Sequence, residues 1–394
     1  MKREKNCYPK VHFAAEYGWI NDPNGLIYHD GIYEIYFQHN PHGTQWGNMT
    51  WGHARTEDFL SYEELEPVLF PDENGTMFSG CGIVNERGLL GLPKDALLLF
   101  YTAAGGTNEE SEGKEFTIRM AYSVDGGNTY VKFGEPVLKS LAVENRDPKV
   151  FWHEETSAYI LVLWLENEDF AIFRSKDLEE FTLSQRLTLE GGFECPDLFK
   201  LPVEGSDLSK WVFWAADGSY YVGDFDGYKF TQTQKRKIAY ERIYENGESK
   251  PSLAYAAQTY FGVGDKVMSM PWLKTECVAE QTTGVLGLPR YFSLKETGDG
   301  LVLKQVLPEF IREGLKKPQM SELVEETGLE IEFDAREQEL IVRSAKREIM
   351  IKGVDVQDLD IIYDRGVMEI STADFTRITY CDFPELRDVE ACGV

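Results

Sequence analysis

The sequence predicts an all-β chain, a five-bladed β-propeller followed by a short C-terminal β-sandwich. Three observations lead there. Short apolar alternations recur, as in Tyr33–Phe37, Leu97–Tyr101, Tyr159–Leu165, Trp211–Trp214 and Leu301–Leu303. Clusters of Gly, Pro, Asn and Asp separate them, the pattern of many antiparallel strands. A hydroxyl-x-Asp unit followed by an aromatic residue repeats along the first two thirds, and beyond Leu307 the texture changes.

The repeat defines the blades. Thr56-x-Asp58 with Tyr62, Ser123-x-Asp125 with Tyr130, and Ser175-x-Asp177 with Phe181 share one form, and Asp226-Gly227 with Phe230 is a partial fourth copy. The aspartates fall roughly 50 to 70 residues apart, the length of a four-stranded blade. Each unit reads as a hairpin whose Asp and Ser or Thr bond the turn backbone while the aromatic anchors the next strand. A fifth unit, about Tyr255 to Leu307, has strands without the Asp signature, and a first strand near Val11–Phe13 is expected to close the ring. No long amphipathic helix is expected.

The propeller is assigned to residues 1–307 and the sandwich to 308–394. Glu309 to Thr327 is charged and linker-like, with room for one helical turn. Six short strands follow: Leu329–Phe333, Glu339–Val342, Glu348–Ile351, Leu359–Tyr363, Val367–Ile370 and Arg377–Tyr380. They suggest a sandwich without catalytic residues.

Composition narrows the function. A hydrophobic fraction of 42% with 13% aromatics suits a packed globular chain rather than a disordered one. A formal charge of −27 repels phosphate backbones and anionic headgroups, which argues against nucleic-acid or membrane-surface partners. The N-terminus, Met-Lys-Arg-Glu-Lys-Asn-Cys, has no apolar core of a signal peptide. Cysteines 7, 81, 195, 277, 381 and 392 lack zinc-ligand spacing and read as reduced thiols, so the cytoplasm is the expected location. His39 and His42 have metal-like spacing but no evident third ligand, and neither metal nor cofactor is expected.

Three carboxylates sit where a blade would begin: Asp22 in Trp19-Ile-Asn-Asp-Pro-Asn-Gly25, Asp147 in Arg146-Asp-Pro148, and Glu194 in Glu-Cys-Pro-Asp197. Singly each has an ordinary structural reading, since Asp-Pro-Asn-Gly makes a good turn and Arg-Asp a common surface pair. Together, on a repeated β architecture, they suit glycosidic hydrolysis, which needs two carboxyl groups in opposite protonation states. Each lies one or two residues before a proline, which biases the preceding residue to extended backbone. Arg146 beside Asp147 is expected to favour the charged carboxylate.

These motifs resemble glycoside hydrolase family 32, the invertases, inulinases and levanases. Lesser matches are Tyr36-Phe-Gln38, Trp46-Gly47, Trp51-Gly-His-Ala54, Phe78-Ser-Gly80, Leu288-Pro-Arg290 and the tail segment from Leu359 to Glu369. The resemblance implies a retaining double displacement, with Asp22 as nucleophile and Glu194 as acid/base. Asp147 would hold two fructose hydroxyls in the transition state. It further implies a substrate pocket at Asn21, Gln38, Trp46, Phe78, Ser79, Arg146, Cys195, Tyr255 and Trp272, and a neutral fructose-containing saccharide as partner.

The chain departs from the family in three places. Cys81 stands where many relatives carry Ser, so a pocket-adjacent contact is expected to differ. The segment from Ala239 to Leu253 lacks the usual acidic, Gly-containing stretch, and the tail is short. The sequence leaves open a fructosyltransferase, a difructose-anhydride hydrolase, an arabinosidase-like propeller, or a catalytically inactive sugar-binding one. No local basic cluster marks a phosphorylated substrate.

Overall fold

The computed structural model describes residues 8–279, 281–315, 320–353 and 359–389. Strands dominate, and they form a five-bladed propeller and a β-sandwich. The first strands of the five blades are Gly18–His29, Thr76–Val84, Arg146–His153, Asp197–Pro202 and Ala254–Thr259. That of blade one packs against those of blades two and five, and that of blade two against that of blade three, around the central axis. Further strands follow outward, and the blades end at Leu69, Lys132, Thr188, Gln232 and Val306.

The apolar runs found in the sequence are mostly second strands, and their continuity has a packing cause. In blade three Tyr159, Leu161 and Leu163 join a core with Ile83, Leu98 and Phe100 of blade two. The alternate residues Ile160, Val162 and Trp164 face Phe213 and Tyr221 of blade four. A strand covered on both faces needs apolar residues at every position. Each such side chain contributes about 1.5–3 kcal/mol on burial.

The repeated aspartates close the hairpin between the third and fourth strands of blades one to four. Asp58 Oδ1 accepts from the backbone N–H of Leu60 and Ser61, and Asp177 Oδ1 from those of Glu179 and Glu180. Asp226 does the same for Tyr228 and Lys229. Asp125 accepts from Thr129 N and from the Thr129 hydroxyl.

Ring closure differs from expectation. Val11–Phe13 is not a strand: only Phe13 bridges, to Leu286. Thr282–Leu286 instead runs parallel to the first strand of blade one, pairing Gly18 with Thr282, and so joins blades one and five in one sheet. Asp-Pro-Asn-Gly is not a turn either. It lies inside a 12-residue strand whose register against Ile32–Asn40 shifts twice, between Ile20 and Pro23 and between Asn24 and Ile27. Those bulges re-aim the side chains between them. Gly25 is required there: its φ is +54°, and a Cβ would meet the Tyr36 ring at 2.6 Å.

After Val306 come helices Glu309–Gly314 and Met320–Thr327; residues 316–319 between them lie outside the described set. Six strands follow, within a residue or two of the expected positions, in a three-stranded and a five-stranded sheet. The larger sheet takes two of its strands from the 239–253 departure. Ile243–Glu245 and Glu248–Lys250 form a hairpin that pairs with Glu348–Lys352 through Tyr244 and Met350, and Ile243 packs in the sandwich core.

Four buried ionisable groups fasten the sandwich to the propeller. Arg290 Nη2 meets Glu369 Oε2 at 2.5 Å, and His12 Nδ1 and Nε2 lie 3.0 Å from Asp364 and 3.1 Å from Glu369. Burial alone would lower the His12 pKa, but the hydrogen bonds to Asp364 and Glu369 raise it to about 9. The Leu-Pro-Arg and tail motifs singled out in the sequence are thus two halves of one contact.

Candidate active site

Asp22 sits in the bulged first strand of blade one, Ser79 in that of blade two, and Asp147 at the start of that of blade three. Glu194 precedes the first strand of blade four, and Tyr255 lies in that of blade five. The propeller therefore brings one polar group from each blade to one end of its axis. They line a cavity of about 480 Å³ together with Asn21, Gln38, Arg146 and an aromatic wall.

The Asp22 carboxylate is held from three sides. Ser79 Oγ donates to Oδ2 at 2.6 Å, Asn21 Nδ2 to Oδ1 at 3.0 Å, and Cys195 Sγ lies 3.6 Å from Oδ2. Asn21 is itself fixed by the Trp19 indole N–H at 2.8 Å. Burial raises the Asp22 pKa, and the three donors oppose it.

Asp147 accepts from the backbone N–H of Cys195 at 3.0 Å, and its own N–H donates to Thr102 Oγ1 at 3.1 Å. Thr102 in turn donates to the carbonyl of Ser79 at 3.2 Å, which ties the strands of blades two and three together at the site. As expected, Arg146 favours the charged form of Asp147. Burial outweighs Arg146 and pushes the Asp147 pKa up to about 7. The nearest guanidinium nitrogen is 3.9 Å from Asp147, whereas Arg146 Nη2 lies 2.5 Å from Glu194 Oε1.

Arg146 is therefore chiefly the partner of Glu194, and it stacks over Trp164 at 4.1 Å. Tyr255 donates its hydroxyl to the other Glu194 oxygen at 2.7 Å. Lys274 Nζ lies 3.3 Å from the centroid of the Tyr255 ring, a cation–π contact that favours donation by the phenol.

The backbone here is unusual. Asp147, Glu194 and Cys195 have φ of 64°, 53° and 40°. Asp147 and Cys195 directly precede prolines, so the expected extended conformation gives way to the left-handed region at both. Such residues cost about 1–3 kcal/mol each and persist where the surrounding fold over-determines them.

Two cysteine expectations are corrected. Cys195 is absent from the cavity wall; its backbone and thiol touch Asp147 and Asp22 instead, which makes it a positioning residue. Cys81 is fully buried, and its sulfur accepts from Val150 N at 3.1 Å, because alternation turns it away from the cavity and into the core between blades two and three. Both are free thiols, as is Cys381; Cys7 and Cys392 lie outside the described residues.

The aromatic wall combines Trp46, 57% exposed, with Phe78 at 5.8 Å and Phe116 at 5.5 Å from Phe78, both edge-on. Trp272 packs edge-on against Trp19 on another side. Gln38 donates to the carbonyl of Met77 at 2.8 Å, which fixes its amide. Sequence reasoning missed Thr107, Phe116 and Glu144, which also line the cavity. Glu144 had a signal, two residues before Arg146; Thr107 and Phe116 arrive from a connecting loop with no motif. His39 Nδ1 bonds the carbonyl of Trp19 at 3.0 Å. Among the described residues no cluster of His, Cys, Asp and Glu is placed to hold a metal.

A propeller with three converging carboxylates has counterparts among known proteins. The model of the glycosyl hydrolases family 32 N-terminal domain matches residues 12–305, and the chain belongs to that family. The chain is similar to a levanase of Bacillus subtilis, 37% identical over 248 residues, 58% of this chain and 36% of the relative. It is similar to an invertase of Debaryomyces hansenii, 31% identical over 310 residues, 70% of this chain and 56% of the relative. It thus spans about a third to just over half the length of these curated relatives. In fold it is similar to an exo-inulinase from Aspergillus awamori, with a TM-score of 0.83, 22% identity, and coverage of 99% of this chain and 95% of that one. A fructofuranosidase from Schwanniomyces occidentalis complexed with fructose gives 0.79, 23%, 97% and 93%.

Proposed function

We propose that the chain is a retaining glycoside hydrolase that cleaves terminal β-fructofuranosidic bonds in fructo-oligosaccharides, fructans or sucrose. The observation that carries this is the convergence of Asp22, Asp147 and Glu194 in one cavity, with Cys195 Sγ 3.6 Å from both Asp22 and Asp147. The family's curated relatives, named levanase, invertase and exo-inulinase, support fructosides as the substrate class.

Asp22 is oriented by Asn21 and Ser79 to attack the anomeric carbon. Glu194 gives its proton to the departing oxygen, and the carboxylate left behind is held by Arg146 and Tyr255. Asp147 accepts from hydroxyls of the bound fructosyl unit, and those donors favour its charged form against burial. The fructosyl ester on Asp22 is then hydrolysed by water that Glu194 deprotonates. The aromatic wall meets the C–H faces of the sugar, while Asn21 and Gln38 present amides to its hydroxyls. A neutral saccharide fits this acidic site, and a reducing compartment such as the cytoplasm fits the free thiols.

Two inversions give net retention, so early-time NMR should show β-fructofuranose as the first-formed product, before mutarotation. An initial α anomer overturns the double displacement. A survey over sucrose, kestose, inulin, levan and difructose anhydrides identifies the linkage.

A further inference from the structure

The leaving saccharide must depart on the Glu194 side, because Glu194 protonates the oxygen it leaves with. The residue before Glu194 is Phe193, whose side chain is 42% exposed. Its position is fixed: Ala216 N donates to the carbonyls of both Phe193 and Glu194, at 3.0 and 3.1 Å. The ring stands edge-on to Trp164 at 4.8 Å, the same indole that carries Arg146. Phe193 lines a second concavity, and Trp164 stands between it and Arg146 of the catalytic cavity.

That second concavity is a groove of about 630 Å³, running from Phe193 past Gly191, Gly192 and Thr188 to the turn at Asn167–Asp169. Strand pairing sets its side of the propeller. Trp164 pairs with Arg146, Glu166 with Asp169, and Asp169 with Thr188, so the turn lies at the same end of blade three as Asp147. The groove opens on the catalytic face.

Its floor is built rather than incidental. Gly191 N donates to Glu168 Oε1 at 2.8 Å, its carbonyl accepts from Arg236 at 2.9 Å, and the Tyr221 hydroxyl donates to the carbonyl of Glu190 at 2.9 Å. The Trp164 indole N–H bonds the carbonyl of Asn167 at 2.9 Å and pins the turn. Gly191 has φ +71°, and a Cβ there would strike the Arg236 guanidinium, so the floor stays free of side chains. Asn167, Glu168 and Thr188 are exposed along the rim.

We propose that this groove binds the saccharide units behind the leaving residue, which makes a fructo-oligosaccharide or fructan chain, rather than sucrose, the substrate for which the site is shaped. The inference rests on the fructoside-hydrolase reading above. An exposed aromatic ring offers a face to one sugar, and amide, hydroxyl and carboxylate groups on the rim match neutral hydroxyls. The carboxylates disfavour a phosphorylated chain.

The test is kcat/KM of the full chain on sucrose, kestose, nystose and fructosylnystose. The wild type should gain about tenfold from sucrose to the tetrasaccharide, the factor expected of one well-made further contact. In Phe193→Ala, and separately in Thr188→Ala at the far end, the tetrasaccharide-to-sucrose ratio should fall several-fold. Values flat with length in the wild type, or variants in which the ratio is unchanged, overturn the groove. Failure of the wild type to hydrolyse any fructoside overturns the underlying reading instead, so the two failures are told apart.

Discussion

Lys149 Nζ lies 3.2 Å from Asp197 Oδ2, an ion pair between the first strands of blades three and four. Both side chains are almost wholly buried. Thr259 of blade five donates its N–H and its hydroxyl to the same oxygen, at 3.0 and 2.7 Å, and its carbonyl accepts from Lys149. Lys149 follows Asp147 by two residues and Asp197 follows Glu194 by three, so one contact sets the relative position of two proposed catalytic carboxylates.

Breaking that pair should be costly. Lys149→Met strands a buried carboxylate, and the expected loss is about 3–5 kcal/mol. The double variant Lys149→Met, Asp197→Leu should recover much of it, because neither charge is then left alone. Denaturant unfolding of the three proteins decides this; a single variant as stable as the wild type contradicts it.

Asp22→Asn should abolish nearly all turnover while the fold survives, because an amide cannot form the covalent ester. Wild-type-like turnover in a verified variant rules out Asp22 as nucleophile.

For Glu194→Gln the loss should depend on the leaving group, since an easily departing aglycone needs least protonation. The comparison is kcat on an activated fructoside against sucrose. Equal losses on both count against the acid role.

Asp147→Asn should lower kcat/KM strongly yet make the protein more stable at alkaline pH. The folded-state pKa of about 7 lies above the ordinary 3.8. Stability from this group is therefore full below 3.8 and is lost as pH rises through 7. An amide does not ionise, and Asn tolerates the φ of 64° better than most residues. The melting temperature should rise by a degree or more at pH 8, with little change at pH 4. A variant that melts lower at both and keeps its activity points to a structural Arg146–Asp147 pair instead.

The sandwich should stabilise the propeller without taking part in the chemistry. Val367, Ile378 and Tyr380 share a core with Ala254, Leu273 and Val285 of blade five. Cutting near Pro308 should expose that surface, strand Arg290, and give an insoluble fragment; a soluble, fully active one shows that the tail is dispensable. His12 adds a pH signature. With its pKa raised to about 9 from 6.5, its contribution is complete below 6.5 and lost as pH rises through 9. His12→Gln should flatten the stability profile across that window, as followed by thermal melts; an unchanged slope removes the assignment.

The strand-rich architecture, the blade spacing and the three carboxylates are legible in the chain's local patterns. Each of these is local: period-two alternation, Asp-capped hairpins and short motifs are written in adjacent residues. Asp58, Asp125, Asp177 and Asp226 were legible because each bonds backbone only two to four residues away. Only the tertiary structure shows that Arg146 reaches Glu194 more closely than its neighbour Asp147, that Cys195 braces two carboxylates, and that Cys81 faces the core. It alone placed the 243–250 hairpin in the sandwich sheet and brought Thr107 and Phe116 to the cavity. Those contacts join residues tens to hundreds of positions apart, and their direction depends on bulges and positive-φ residues that rotate a side chain to another face. A periodic pattern cannot encode that rotation; the packing of five blades around one axis does.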